Sequence, residues 1–140
     1  MSEEIDARLF DKLHTAGYAR FTRVEQNVYL AVTLDAELSS GGFAQFFAGS
    51  SGNCAVRTAA ALKDMGDARM IDLYARALAV FPGGSPSEDL AERGAQIDAL
   101  PNREGAWRGL DDEYYRGDAA DAHVSRYIRA NLRGFDLPPR

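Results

Sequence analysis

The chain has 140 residues, of which 46% are hydrophobic and 26% are charged, and its net charge is −5. This balance is typical of one globular domain and excludes an intrinsically disordered chain. No apolar run is long enough to cross a membrane, the acidic N-terminus lacks the apolar core of a secretion signal, and one cysteine, Cys54, excludes an internal disulfide. We therefore expect a cytoplasmic protein.

The apolar spacing predicts helices from the start of the chain. A first helix within residues 1–20 is predicted by three apolar residues at a spacing of four, Ile5, Leu9 and Leu13. Thr22 and Glu25 then form a capping-box pattern, in which each side chain accepts a hydrogen bond from the other residue's backbone N–H. This pattern predicts the start of a long central helix over about residues 22–39.

A glycine pair, Gly41-Gly42, follows the predicted central helix and indicates a sharp corner. Three phenylalanines come next at helical spacing, so one turn of helix would place them on one side: Phe43, Phe46 and Phe47. Glu37 lies in the last turn of the helix, where its charge opposes the helix dipole. We expect hydroxyls or backbone N–H groups of residues 39–42 to compensate it. The corner is therefore interpreted either as a structural feature or as a ligand-binding site.

Capping residues predict the later helix starts. Asn53, Asp67 and Asp118 are good N-cap residues before apolar stretches. Residues 85–88 form a second capping-box pattern, with proline at the first helical position. The last helix is predicted over about 119–133, with Leu132 packed against the core, and residues 134–140 are predicted to be a tail. We expect an all-α fold, a single compact bundle of about seven or eight helices over residues 1–140, with no sheet.

No catalytic or metal-binding constellation is recognisable. The two histidines, His14 and His123, lie on different predicted helices, and each is predicted to be at the surface or boundary. Cys54 is interpreted as a small buried residue at a helix start. Neither zinc-ligand spacing nor a phosphate-binding loop is present. The sequence therefore predicts no catalytic residue, no metal and no cofactor.

Charge is distributed unevenly along the chain. Residues 85–121 have a net charge of −6, whereas the remainder has a net charge of +1. Such asymmetry points to a partner surface or to a solvated acidic face. The candidate partner-binding acids are Glu88, Asp89, Glu92, Asp111, Asp112, Asp118 and Asp121.

Several short motifs follow one another along the chain in a fixed order. They are Glu37, Gly41-Gly42-Phe43, Gln45, Phe46-Phe47, Ala61-Leu62, Met65-Gly66, Phe81-Pro82, Leu110-Asp111 and Tyr114-Tyr115. In this order the chain resembles, over about residues 23–131, a bacterial family of domains of unknown function whose best-known member is a dimeric DNA mimic. The family pattern has asparagine before the glycine pair, and here that residue is Ser40.

The resemblance implies an all-helical, homodimeric protein and identifies no catalytic residue, and we expect a protein without enzymatic activity. It also implies that carboxylates take the place of DNA phosphates and bind a basic protein such as a DNA-binding regulator. The signature residues Glu37, Ser40, Gly41, Gly42, Phe43 and Gln45 are predicted to be structural. The alternative is a small-molecule-binding or hydrolytic domain that uses the Glu37–Ser40 corner. Direct binding of nucleic acid by Arg126, Arg129 and Arg133 is not expected, because the chain is acidic overall.

Overall fold

In the computed structural model, which describes residues 2–117 and 122–137, helices account for the secondary structure and no strand occurs in these ranges. The α-helices are α1 (Ser2–Thr15), α2 (Arg23–Ala48), α3 (Ala55–Met65), α4 (Ala68–Leu78), α5 (Leu90–Asp98), α6 (Arg108–Arg116) and α7 (Ala122–Ala130). Short 3₁₀ turns lie at Tyr18–Arg20, Ser50–Cys54, Pro82–Gly84 and Leu132–Gly134. The predicted all-α fold is confirmed.

Helix α2 is the central element, as predicted, and packs against α1, α3, α5, α6 and α7. Its capping box is confirmed. The Thr22 hydroxyl accepts from the Glu25 N–H at 3.2 Å, and the Glu25 carboxylate accepts from the Thr22 N–H at 2.9 Å. These two bonds satisfy backbone donors that a helix start otherwise leaves without an intrahelical partner.

Two hydrophobic clusters share α2. The aromatic core forms around its second half and contains the three signature phenylalanines together with Tyr74, Phe81 and Trp107. Phe47 lies 5.0 Å from Phe81 and 5.2 Å from Trp107, measured between ring centroids. The N-terminal core forms around the first half of α2, and its buried members are Ile5, Leu9, Phe21, Val28, Ala31, Val124 and Ile128.

The structure confirms one of the later predicted helix starts and contradicts two others. Asp67 caps α4 as predicted, because its carboxylate accepts from the Arg69 and Met70 N–H groups. The capping prediction for Asn53 is wrong, since Cys54 occupies the position before α3. The capping box at residues 85–88 is also wrong. Helix α5 starts later, at Leu90, and Asp89 is its N-cap. The predicted cap at Asp118 lies outside the described residues.

The C-terminal segment is anchored further than predicted. Phe135 and Leu137 pack against the N-terminal core, and the Asp136 N–H donates to the Glu25 carboxylate. The prediction of a tail is therefore wrong for residues 134–137, while residues 138–140 lie outside the described ranges. The packing prediction for Leu132 is wrong as well, because that side chain is 50% exposed.

The anchor of this segment is a buried ion pair. Lys12 Nζ lies 2.7 Å from Glu25 Oε1, and the Glu25 side chain is fully buried. Lys12 also donates to the Asp136 carbonyl at 2.6 Å. The pair therefore joins α1, the start of α2 and the C-terminal segment. A buried pair of this kind depends on both partners, because removal of one leaves an uncompensated charge.

We predict that Lys12→Met destabilises the protein by about 3 kcal/mol, since Glu25 would remain buried without its cation. The free energy of unfolding in urea measures this change. Lys63→Met is the matched control, because Lys63 is exposed and surface substitutions usually change stability by about 0.5 kcal/mol or less. Equal stability of the two variants would contradict the structural role of the pair.

Candidate functional site

The glycine corner is a kink inside α2, which corrects the prediction that the helix ends before it. Helical geometry continues to Ala48, interrupted only at Gly42, whose φ is 76° and ψ is −170°. Residues with a Cβ are strongly disfavoured in this conformation. The freed Phe43 N–H donates to Asp111 Oδ1 of α6 at 2.9 Å. Asp111 thus acts as a cap for the last turns of α2, supplied by another helix.

Burial affects the Asp111 carboxylate. It raises the pKa of Asp111, and the hydrogen bond from the Phe43 backbone partly offsets this rise. A Cβ at Gly42 would lie 2.7 Å from Asp111 Cγ, so the glycine also makes room for the cap. Asp111, which the sequence suggested as a partner-binding acid, therefore lies in the corner and contacts the backbone of α2.

Glu37 and Gln45 bond across the same kink. Gln45 Nε2 donates to Glu37 Oε2 at 3.1 Å. A Cβ at Gly41 would lie 2.8 Å from Gln45 Cδ, so Gly41 leaves space for this side chain. The expected compensation of Glu37 by hydroxyls or backbone N–H groups is therefore wrong, since the compensating donor is the Gln45 amide. Glu37, Gly41 and Gln45 therefore lie together at the kink.

Ser40 lies on the exposed surface of this corner. A nucleophilic serine needs a base within hydrogen-bonding distance. Within residues 2–117 and 122–137, no side chain forms a hydrogen bond with the Ser40 hydroxyl. The geometry thus supports an architectural role for the corner and gives no support to the hydrolytic alternative.

We predict that Gly42→Ala destabilises the protein by at least about 2 kcal/mol, because alanine is strained at this φ and ψ and its Cβ displaces Asp111. Gly94→Ala in α5 is the matched control. A Cβ at Gly94 would meet nothing within 4 Å, so alanine there should stabilise the helix by about 0.5–1 kcal/mol. Urea unfolding of both variants checks the prediction, and a Gly42→Ala variant as stable as wild type would refute it.

Arg93 is the residue that the sequence interpretation missed. Its side chain is fully buried (0% exposed) although it is charged. The guanidinium donates to the carbonyls of Phe47 at 2.6 Å, Gly49 at 2.7 Å and Ser87 at 2.8 Å. It also donates to Asn53 Oδ1 at 2.9 Å. Four oxygens thereby accept hydrogen bonds from this planar group, which has five N–H donors.

The positive charge of Arg93 suits its position at the C-terminal end of α2. Phe47 and Gly49 lie at the C-terminus of α2, where the dipole favours a cation. Burial lowers the pKa of Arg93, and the nearby Asp89 opposes this shift. The sequence signal for this burial is the spacing of four between Arg93 and Ile97, a partly buried residue that packs against the aromatic core.

Arg93 holds a surface segment that we call the acidic turn, residues 87–92. Ser87 is its first residue. The Ser87 carbonyl accepts a hydrogen bond from Arg93, and the Ser87 hydroxyl donates to Glu92 Oε2 at 2.8 Å. The Ser87 N–H donates to Gln96 Oε1 at 2.8 Å. Asp89 Oδ2 accepts from the Glu92 N–H at 2.8 Å, which is the cap of α5. The turn is therefore fixed to the aromatic core by hydrogen bonds.

Three of the predicted acids come together in the acidic turn. Glu88, Asp89 and Glu92 are all exposed. In the part of the chain that the structure describes, no basic side chain forms a salt bridge with any of them. Their charges are thus available to a partner.

The other acids of the segment are placed differently. Asp112 is exposed on α6, whereas Asp98 pairs with Arg103 at 2.7 Å. Glu113 pairs with Arg76 at 2.7 Å, and this contact lowers the pKa of Glu113. Asp118 and Asp121 lie outside the described residues, so their role stays a prediction.

The α7 arginines lie away from the acidic turn. Arg126 lines a groove with Arg23, and Arg23 pairs with Asp64 at the end of α3. Arg93 instead contacts Asn53, just before the start of α3. Because α3 has 11 residues, these two places are about 16 Å apart along the helix. The Debye length is about 8 Å at physiological salt, so the groove exerts little repulsion on a cation at the turn.

The predictions for the two histidines have different outcomes. His14 is exposed, but the prediction for His123 is wrong, since it is buried with its ring nitrogens 3.8 Å from Asp35 and Asp67 carboxylate oxygens. Among the described residues, no group of three or more histidines, cysteines or acids could hold a metal ion. No helix within those residues has the length and apolar character needed to cross a membrane.

Comparison with known proteins identifies the family. A family model described as DMP19-like protein matches residues 19–131, a span that includes both the corner and the acidic turn. Searches of curated proteins and of solved structures found no match. The match agrees with the resemblance that the signature residues indicate. The chain therefore belongs to the DMP19-like family of DNA-mimic-like domains.

Proposed function

We propose that the protein is a non-enzymatic DNA mimic that presents the acidic turn to a basic, DNA-binding protein. Family membership supports the general class. The observation that favours the acidic turn as the contact surface is its combination of three exposed carboxylates, without salt bridges, with a buried anchor, Arg93. A surface fixed in advance loses little conformational entropy on binding.

The charge of the turn is compatible with this role. Carboxylates near the N-terminus of α5 are favoured by the helix dipole, which stabilises negative charge there. The Arg93 guanidinium lies behind them, but its described hydrogen bonds run inward to Phe47, Gly49, Ser87 and Asn53. A partner approaching from solvent therefore meets carboxylates first.

The size of the turn suggests that other acids contribute. DNA-binding proteins can make about 6–10 phosphate contacts, whereas one acidic turn offers three carboxylates. Asp112, Asp118 and Asp121 are candidates for the remainder. We propose that the protein acts as a homodimer, because two copies would double the number of carboxylates available to one regulator. We also propose that it acts in the cytoplasm.

We predict that neutralising the turn weakens binding to a DNA-binding regulator by at least about tenfold, which corresponds to about 1.4 kcal/mol. The variant combines Glu88→Gln, Asp89→Asn and Glu92→Gln. Asparagine is as good an N-cap as aspartate, so α5 should keep its start. The measurement is binding to each immobilised candidate regulator, with the regulator's own duplex DNA as competitor.

The matched control removes the same charge elsewhere. Glu4→Gln, Asp11→Asn and Glu104→Gln change three exposed acids that lie outside the acidic turn. We expect this variant to bind like wild type. The proposal is wrong if binding is insensitive both to duplex DNA and to neutralisation of the turn, or if the control variant loses affinity equally.

A further inference from the structure

An open groove lies between the start of α2, the end of α3 and the end of α7. We call it the basic groove, and its volume is about 590 Å³, which is within the range of about 300–1,000 Å³ typical of ligand sites. Arg23 of α2 and Arg126 of α7 line it. Apolar and aromatic groups share the lining: Val24, Met65, Ala130 and Tyr127. Asp64 also lines the groove, so two arginines against one aspartate leave it a net positive charge beside its apolar surface.

The arginines of the groove have free capacity for an anion. Arg23 donates through Nε to Asp64 at 2.8 Å, which orients the guanidinium, and its side chain is 65% exposed. Asp64 accepts from Asn27 through the same oxygen, Oδ2, at 2.9 Å. Arg126 is 63% exposed and lies 3.8 Å from Asp67. Such a groove fits an occupant that has carboxylates beside an apolar side chain.

The acidic turn has this chemistry. Leu90 is 46% exposed and lies between Asp89 and Glu92 in the sequence. The turn cannot reach the groove of its own chain, because Asn53 and Asp64 place the two sites at opposite ends of α3, about 16 Å apart. We propose that the acidic turn of one copy docks into the basic groove of a second copy.

The proposed contact is heterologous, since it joins two different surfaces, and such contacts can link more than two copies. It is separate from the homodimer proposed above, whose turns must stay exposed. It rests on the proposed function in one respect: a basic partner and a second copy would compete for the same turn. Self-docking would then limit partner binding when the protein is concentrated.

Charge reversal tests the contact with the two variants Glu88→Arg and Arg126→Glu. Glu88 forms no side-chain hydrogen bond or salt bridge among the described residues, so its reversal leaves the hydrogen bonds of the turn intact. In Glu88→Arg alone, the new arginine of the turn faces the arginines of the groove. In Arg126→Glu alone, the new carboxylate of the groove faces the carboxylates of the turn. In a mixture, the turn of the first variant meets the groove of the second with both charges reversed. The turn of the second variant meets the groove of the first with both charges native, so association should return.

Sedimentation velocity measures the association, with no partner protein present. At about 0.01 M salt, where the Debye length is about 30 Å, the mass of wild type should rise with concentration, and at about 1 M salt this rise should disappear. Each single variant should associate about tenfold more weakly than wild type, and the equimolar mixture should recover most of the loss. Arg129→Glu is the matched control, because Arg129 is exposed on α7 but does not line the groove.

Three results would overturn the proposal: no salt-sensitive association of wild type, no recovery in the mixture, or equal loss in the Arg129→Glu control. Because the test involves no regulator, its outcome is independent of whether the protein is a DNA mimic. Binding of a regulator by a protein without self-association would leave the proposed function in place and remove only the self-docking contact.

Discussion

The buried guanidinium of Arg93 is the interaction on which the acidic surface depends. A charge in the interior is costly unless hydrogen bonds satisfy it, and here four oxygens do so within 2.9 Å. Two of these oxygens are carbonyls at the end of α2, and one belongs to Ser87 at the start of the acidic turn. The same group therefore closes a helix and fixes the surface that we propose as the partner site.

The end of α2 is in this position because of the kink at Gly42. Beyond the kink, Phe43, Phe46 and Phe47 are all buried in the aromatic core. Asp111 accepts from the Phe43 N–H, where α2 resumes its helical geometry after the kink. Gln45 lies over Gly41 and donates to Glu37. The family signature thus explains how the site is positioned, whereas the carboxylates that a partner would meet lie about forty residues downstream.

Local patterns predicted most of the fold. The capping box at Thr22, the cap at Asp67 and the buried aromatic residues follow from spacing and side-chain chemistry within a few residues. The failures depend on contacts between distant segments. Asn53 does not cap α3 because its side-chain oxygen accepts from Arg93, and the C-terminal residues are ordered because Lys12 and Glu25 bind them.

The candidate site was predicted only in part for the same reason. Sequence position identified Glu88, Asp89 and Glu92 as acids of one segment, but it also grouped them with Asp111, which faces the backbone of α2. Only the tertiary structure separates a capping carboxylate from an exposed one. Arg93 lies in the same segment, and its charge alone gives no indication of burial, although helical spacing places it on the same face as Ile97.

Amide hydrogen exchange of an Arg93→Lys variant tests most directly whether Arg93 fixes the acidic turn. Lysine keeps the positive charge but cannot donate to four separate oxygens in the plane of a guanidinium. We expect faster exchange of the amides of Asp89, Glu92 and position 93 than in wild type, while the amide of Ile128 in the N-terminal core keeps its protection. Unchanged exchange throughout the turn would contradict the account.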